Sequence, residues 1–370
     1  MLFGSFAWSF VFVSLPFHIQ RISTTDPAAT LRWTGWILGI TSLVTVVTAP
    51  VWGRHAARGN PKACYVAVEA LQGLGFFVMA LATTLPELFF ARLLLGAMGA
   101  ASTLAFIMAG RAPGSGDVRR RVATLQSAMT VGQVIGPLVG AIAAARMGIR
   151  GSFVLGGTML LGCAALVHWA VPLPPRVEQT SATEQGVRPR EVAAVTLIVL
   201  GGSIQIFFFT AILPHVLTGF GVDAARTLEV GGMLIFVTGV AAALGAVAVP
   251  RLGELFPERR LIGALLVTSS VCLAAFATAN SVWFYGGLRF LQVLSIAPVF
   301  PLVVARLAQH AGGAAIGVIN SARIGAGFLG PVVATTLLTW TSPGALYVLL
   351  AAIGLACVPL VTIRQAGARA

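Results

Sequence analysis

The sequence predicts an all-α integral membrane protein: twelve transmembrane helices in two pseudo-symmetric six-helix halves. Three observations carry that prediction. First, 57% of the 370 residues are hydrophobic, only 9% are charged, and the mean hydropathy is +0.92; a soluble domain carries about 25% charged residues. Second, apolar segments can be drawn at 2–20, 33–52, 63–84, 88–110, 122–145, 152–171, 191–213, 228–250, 261–279, 282–305, 315–339 and 346–363, each near the ~20 residues that cross a bilayer once. Third, Gln126-Ser127-Ala128 and Gly136-Pro137 find counterparts 194 residues later in Asn320-Ser321-Ala322 and Gly330-Pro331.

The elements justify themselves in order. Span 1 opens almost at Met1, with no basic lead and no persuasive cleavage site, so an uncleaved first span and a start some residues further upstream are expected. Its Gly4-Ser5…Pro16 matches Gly202-Ser203…Pro214 in span 7 at an offset of 198. Before span 2, Asp26…Thr30-Leu31…Gly35 matches Asp223…Thr227-Leu228…Gly232 at 197. Arg92 in span 4 matches Arg289 in span 10 at 197, and Arg111 matches Arg306 at 195. Span 5 carries Gly132, Gly136 and Gly140 on one helix face, where a second backbone can approach closely. Pro137 removes a hydrogen bond there, a loss that neighbouring helices make good in a bilayer. Between spans 6 and 7, Pro172 to Arg190 is polar and proline-rich, and reads as a flexible linker. The expected organisation is a half at 1–171, a cytoplasmic linker at 172–190 and a half at 191–370. An internal duplication in parallel orientation is a transporter architecture.

Charge sets the topology. With the N-terminus in the cytoplasm, internal segments hold 16 Lys/Arg and external loops only Arg21, Arg32, Arg146, Arg150 and Arg226. The positive-inside rule therefore places both termini in the cytoplasm and the chain in a cell's inner (cytoplasmic) membrane. The formal charge of +13 is spread through these loops, so it is read as topology and not as a nucleic-acid footprint. Cys64, Cys163, Cys272 and Cys357 fall in apolar segments without CxxC or metal spacing, and inert thiols are expected. No metal and no cofactor is expected.

The loop Gly53-Arg54-His55-Ala56-Ala57-Arg58-Gly59-Asn60-Pro61-Lys62 resembles the cytoplasmic signature loop of the major facilitator superfamily, with matches at Gly53, Arg54, Arg58 and Lys62. The family's acidic residue falls at Ala57 and its late glycine at Asn60. Pro250-Arg251-Leu252-Gly253…Arg259-Arg260 is a weaker copy. Gly132-(x)3-Gly136-Pro137-(x)2-Gly140 resembles the fifth-helix motif of the drug/proton antiporter (exporter) branch. Arg92-(x)3-Gly96 resembles its fourth-helix arginine motif, with Leu95 where glutamine is usual. The resemblance covers essentially the whole chain and implies the twelve-helix fold with rocker-switch alternating access.

The residues that could carry chemistry are few. The single lysine, Lys62, lies between Pro61 and Ala63, so there is no Walker A loop and secondary transport follows by elimination. HExxH, GxSxG and clustered His/Asp/Glu sets are absent, which argues against an enzyme. Glu69, Arg92, Arg289 and Arg323 are the charges inside spans, and intramembrane charges usually face a cavity or a partner. Arg92 and Arg289 either meet an anionic substrate or bond helix-end carbonyls. Arg323 stands where the first half has Met129, a breach of symmetry that makes it the preferred substrate contact, with Gln126, Gln133, Gln205, Gln292 and Asn320 as polar companions. Glu69 is the candidate proton site, or else a structural partner of Arg54 or Arg58. Gly53, Arg54, Arg58, Gly132, Gly136, Pro137, Gly140, Gly330 and Pro331 form the conformational set, and the glycine faces of spans 5 and 11 are expected to slide or separate. The expectation is proton-coupled efflux of a small amphipathic or anionic compound (a drug, metabolite or siderophore-like molecule) by a monomer in the lipid bilayer. An importer of a small anionic metabolite or iron chelate, and a non-transporting sensor, stand as alternatives.

Overall fold

The computed structural model describes residues 1–111, 118–172, 189–308 and 313–361. Among these described residues, twelve helices are long and apolar enough to span a membrane: α1 (Leu2–Ile22), α2 (Pro27–Ala56), α3 (Pro61–Leu81), α4 (Leu85–Arg111), α5 (Arg120–Met147), α6 (Ile149–Ala170), α7 (Pro189–Gly219), α8 (Thr227–Val249), α9 (Glu258–Thr278), α10 (Val282–Val304), α11 (Gly317–Leu338) and α12 (Pro343–Val361). Each coincides with one expected apolar segment. Of the expected linker, residues 173–188 lie outside the described residues, as does the side chain of Arg306.

The helices alternate in direction, so the bundle has a Met1 end and a far end where α1 finishes. Four of the six starts at the far end, those of α2, α4, α10 and α12, are capped by side chains. Asp26 accepts from the Ala29 amide (2.9 Å), Ser281 from Phe284 (3.2 Å) and Ser342 from Ala345 (3.3 Å), while Thr84 and Glu87 form a capping box. These acceptors satisfy amides that a helix start leaves open. The same Ala29 amide holds the Asp26 carboxyl below the usual carboxylate range.

α1 is interrupted between Leu2–Phe12 and Leu15–Ile22. Pro16 has no amide to donate, and the Ser14 hydroxyl bonds back to the Val11 carbonyl at 3.0 Å, which eases the break. α4 and α10 are interrupted as well, around Met98–Ala100 and Ala297–Pro298.

The glycine stripe of α5 packs on α1 of its own half. A Cβ on Gly136 would stand 2.8 Å from Ser9 Cβ and 2.9 Å from the Phe6 carbonyl oxygen, and one on Gly140 would overlap the Phe10 carbonyl. Gly330 of α11 lies likewise against Phe207 and Phe208 of α7. The expected close-packed faces are thus joined within each half, α5 on α1 and α11 on α7, rather than across the two halves.

The halves meet through neighbouring faces instead. α2 meets α11 where Gly39 lies against Phe328, a Cβ on it standing 3.0 Å from the Phe328 carbonyl oxygen, and Trp36 stacks edge-on with Phe328. α5 meets α8 where Gly232 approaches Pro137 and Ala141, and Gly239 approaches Val134. Phe17 of α1 packs against both halves and against Gly231. These contacts belong to the far-end parts of their helices. Nearer the Met1 end, Gly317 and Gly325 of α11 have open space where a side chain would go.

Gly136→Leu is expected to destabilise the protein by about 1–3 kcal/mol through overpacking. Thermal unfolding in detergent checks this against Gly162→Ala, whose added Cβ meets nothing within 4 Å and which should leave the midpoint unchanged.

Candidate functional site: the gap between the halves

Four of the expected substrate contacts line faces that open toward the Met1 end. On α5, Gln126, Thr130, Gln133, Pro137 and Ala141 follow helical spacing along one face. Pro137 and Ala141 touch α8, whereas Gln126 and Gln133, nearer the Met1 end, are exposed. On α11, Asn320, Arg323, Gly327 and Pro331 share a face in the same way. Gly327 packs on Ser42 and Pro331 on Gly35 of α2, while Asn320 is exposed and Arg323 half-buried. The Arg323 Nε donates to Asn320 Oδ1 at 3.4 Å, and its guanidinium lies 5.2 Å from the centre of the Phe300 ring of α10. One continuous stripe on each helix thus changes from apolar and closed to polar and open along its length.

The other four are placed differently. Arg92 is buried: its Nε donates to the Ile37 carbonyl and its Nη2 to that of Leu38, both at 3.2 Å, and it lies 5.7 Å from the Trp8 and Phe12 rings. Arg289 donates from Nη1 to the Gln205 carbonyl (2.9 Å) and Gln292 Oε1 (2.6 Å), and from Nη2 to the Ile206 carbonyl (2.8 Å). It sits 4.3 Å from the Phe209 ring. Gln205 donates to the Leu350 carbonyl and accepts from Ser269, and Gln292 donates to Ser269. In this conformation all four meet protein groups, and the two arginines are covered by aromatics of α1 and α7. A charge at the centre of a span costs about 2.5–3.5 kcal/mol on insertion scales. Two or three charge-assisted hydrogen bonds at about 1.5–3 kcal/mol each are enough to offset it.

The network repeats in a way that sequence reading missed. Arg92 lies on Phe12 and Arg289 on Phe209, and both pairs are offset by 197. Trp8 Nε1 donates to Gln72 Oε1 at 2.8 Å, and Gln205 with Ser269 occupies the same two places 197 residues later. Extending the 197 offset beyond the obvious motifs would have found both. Of the three consecutive phenylalanines of α7, Phe208 and Phe209 are buried in the C-half core and Phe207 is 36% exposed.

Glu69 is 1% exposed; its Oε1 accepts from the Tyr65 hydroxyl at 2.7 Å and its Oε2 has no partner. Gly4 of α1 faces it so closely that a Cβ there would stand 2.8 Å from Oε1, inside contact distance. In the signature loop, Gly53 faces Thr103 of α4, the Arg111 guanidinium reaches the Ala56 carbonyl at 3.5 Å, and Arg54 and Arg58 are exposed.

A bundle of twelve candidate spans with buried arginine joints, and polar side chains left exposed beyond the contacts between its two halves, fits a membrane transporter. The sequence profile of the Major Facilitator Superfamily matches residues 1–253, and the chain belongs to that family of secondary transporters. It is 28% identical over 334 residues to the multidrug resistance protein MdtG of Citrobacter koseri, covering 85% of this chain and 79% of that protein. It is 24% identical over 336 residues to the uncharacterized MFS-type transporter YuxJ of Bacillus subtilis, covering 87% and 84%. Among solved structures, the nucleoside transporter NupG superposes with a TM-score of 0.75 at 13% identity over 98% of this chain and 97% of that one. The human organic anion transporter MFSD10 gives 0.67 at 16% identity over 97% and 96%. At these identities the structural likeness speaks for the fold alone.

Arg289→Ala leaves the carbonyls of Gln205 and Ile206 and the amide of Gln292 short of partners. It is expected to cost about 1–3 kcal/mol per buried group, seen as a lowered unfolding midpoint. Arg54→Ala, at an exposed position, should leave that midpoint within error.

Proposed function

We propose that this chain is a proton-coupled exporter of small amphipathic or anionic compounds that works as a monomer by rocking its two halves about the seam between α2 and α11 and between α5 and α8. The observation that carries this reading is the α11 stripe, which is sealed on α2 through Gly327 and Pro331 and presents Arg323 and Asn320 where the seam opens. Arg323 offers a planar fork for a carboxylate or phosphate beside the Phe300 ring, a combination suited to an anion with an apolar body. Gln126 and Gln133 face the same gap from α5. Arg92, Arg289, Gln205 and Gln292 hold α4 and α10 in register and position the site. The MdtG relatives, named for multidrug resistance, support export.

The excess of basic residues at the Met1 end supports a cytoplasmic location for it in a bacterial inner membrane, so the gap opens inward. Residues 172–190 then serve as the cytoplasmic linker. Glu69 is the proposed proton carrier, since its free Oε2 can take a proton without disturbing the Tyr65 bond. Proton coupling needs a group whose protonation is tied to the motion of a helix, and α1 lies against Glu69 through Gly4.

Everted membrane vesicles offered labelled anionic, neutral and cationic compounds, with and without a proton gradient, test the reading. Gradient-driven accumulation of an anion, reduced at least about tenfold by Arg323→Ala, is expected. Accumulation of cations unaffected by that variant would remove Arg323 from the site, and efflux of label from preloaded everted vesicles would indicate an importer. Glu69→Gln should abolish gradient-driven accumulation while leaving substrate counterflow intact. Loss of both would make Glu69 structural.

A further inference from the structure

At the far end of the N-half, a cavity of about 390 Å³ opens between the last turn of α1 and the first turn of α6. Its lining includes His18, Arg21, Gly148, Ile149, Arg150 and Gly151. None of the expected transport residues lies there. Its size falls in the ~300–1,000 Å³ range of small-ligand pockets.

Two independent features of this cavity call for the same kind of occupant. The first is the start of α6, a helix of 22 residues entered through Gly148 at φ 82° with no side-chain cap. The positive φ admits glycine without strain. The first amide to find a carbonyl is that of Ser152, bonded to Gly148 at 3.1 Å. The amides of Ile149, Arg150 and Gly151 precede any carbonyl one turn back, so they point out of the helix as donors. The second feature is His18. It is 2% exposed, its ring lies edge-on to Phe153 at 5.2 Å, and both Nδ1 and Nε2 are buried with no hydrogen-bond partner. Leaving a buried polar atom unpaired costs about 1–3 kcal/mol. A neutral imidazole has one N–H donor and one acceptor nitrogen, so an acceptor held at the edge of the adjoining cavity would satisfy the donor.

The charge of the lining is one-sided. Arg21 follows His18 by three residues and lies on the same face of α1. Arg150 reaches the Ala82 carbonyl with Nη2 at 3.3 Å, and its guanidinium keeps further donors. No carboxylate is among the lining residues. Two guanidinium groups and an uncapped helix start are donors, and the imidazole adds one N–H; together they match an oxyanion with several acceptor oxygens.

We propose that this cavity binds a phosphoryl group, with Arg21 and Arg150 flanking it, the α6 amides beneath it and His18 donating from one ring nitrogen. The group comes either from the headgroup of an anionic lipid or from a soluble phosphate. The full chain is purified, freed of lipid and placed in nanodiscs of phosphatidylcholine, with or without phosphatidylglycerol; inorganic phosphate is titrated into the phosphatidylcholine discs. A saturable rise in unfolding midpoint on adding phosphatidylglycerol supports the site and names a lipid as the source. A saturable rise with inorganic phosphate alone supports it and names a soluble anion. In either arm Arg21→Gln/Arg150→Gln should weaken the apparent affinity at least about tenfold. His18→Phe, which keeps a ring against Phe153, should weaken it as well, and Arg32→Gln should leave it unchanged. Should the double variant not fold, the single Arg150→Lys, which keeps the charge but not the fork, should still lower affinity. No midpoint shift with either probe, or shifts of equal size in the wild type and the variants, would overturn the proposal.

Discussion

The contact on which the rest depends is backbone on backbone: α5 lying on α1 through Gly132, Gly136 and Gly140, and α11 on α7 through Gly330. In lipid, apolar side chains gain little by meeting each other, so close van der Waals approach of small residues is what joins helices. Once one face of α5 is used against α1, the rotation of the helix is fixed. Pro137 and Ala141 then have to meet α8, and Gln126 and Gln133 have to fall along the same line where the two halves part. The same constraint on α11 directs Gly327 and Pro331 to α2 and places Arg323 and Asn320 in the gap. The closest backbone joints lie within the halves, and the seam that the proposed rocking would open lies between them.

The buried arginines complete that division. Arg92 and Arg289 are anchored by main-chain carbonyls of α2 and α7 and covered by aromatic rings. Carbonyl oxygens are acceptors that any sequence provides, so such an anchor costs no complementary acid. It also stiffens the half in which it sits, which a rocking mechanism requires of each half. Arg323 differs from both in having a side-chain partner and partial exposure, which suits a group that must exchange partners.

Much of this was legible in the sequence, and the part that was not has a physical reason. Hydropathy placed all twelve spans because a helix must satisfy its own backbone in lipid. The repeat at offsets of 194–198 paired Arg92 with Arg289 and Pro137 with Pro331. What the repeat did not carry was which helix each face meets: Gly136 reads the same whether its partner is α1 or α8. Gln205 and Gln292 read as cavity residues because a polar side chain within a span signals either a pore or a buried network, and only their neighbours Ser269 and Leu350 decide between them. His18 gave no sign of its unpaired nitrogens, since the cavity beside it is built by α6, 131 residues away at Ile149.

The most direct test of the central claim is to lock the far-end seam. Cysteines are introduced for Trp36 and Phe328, whose rings lie 5.4 Å apart across α2 and α11, and bridged by a short reducible bifunctional thiol reagent in vesicles. The account predicts that bridging stops transport and that a reductant restores it, with the unmodified chain unaffected by the reagent. Full transport with the bridge in place would contradict it, because the two halves could then work without parting at this seam.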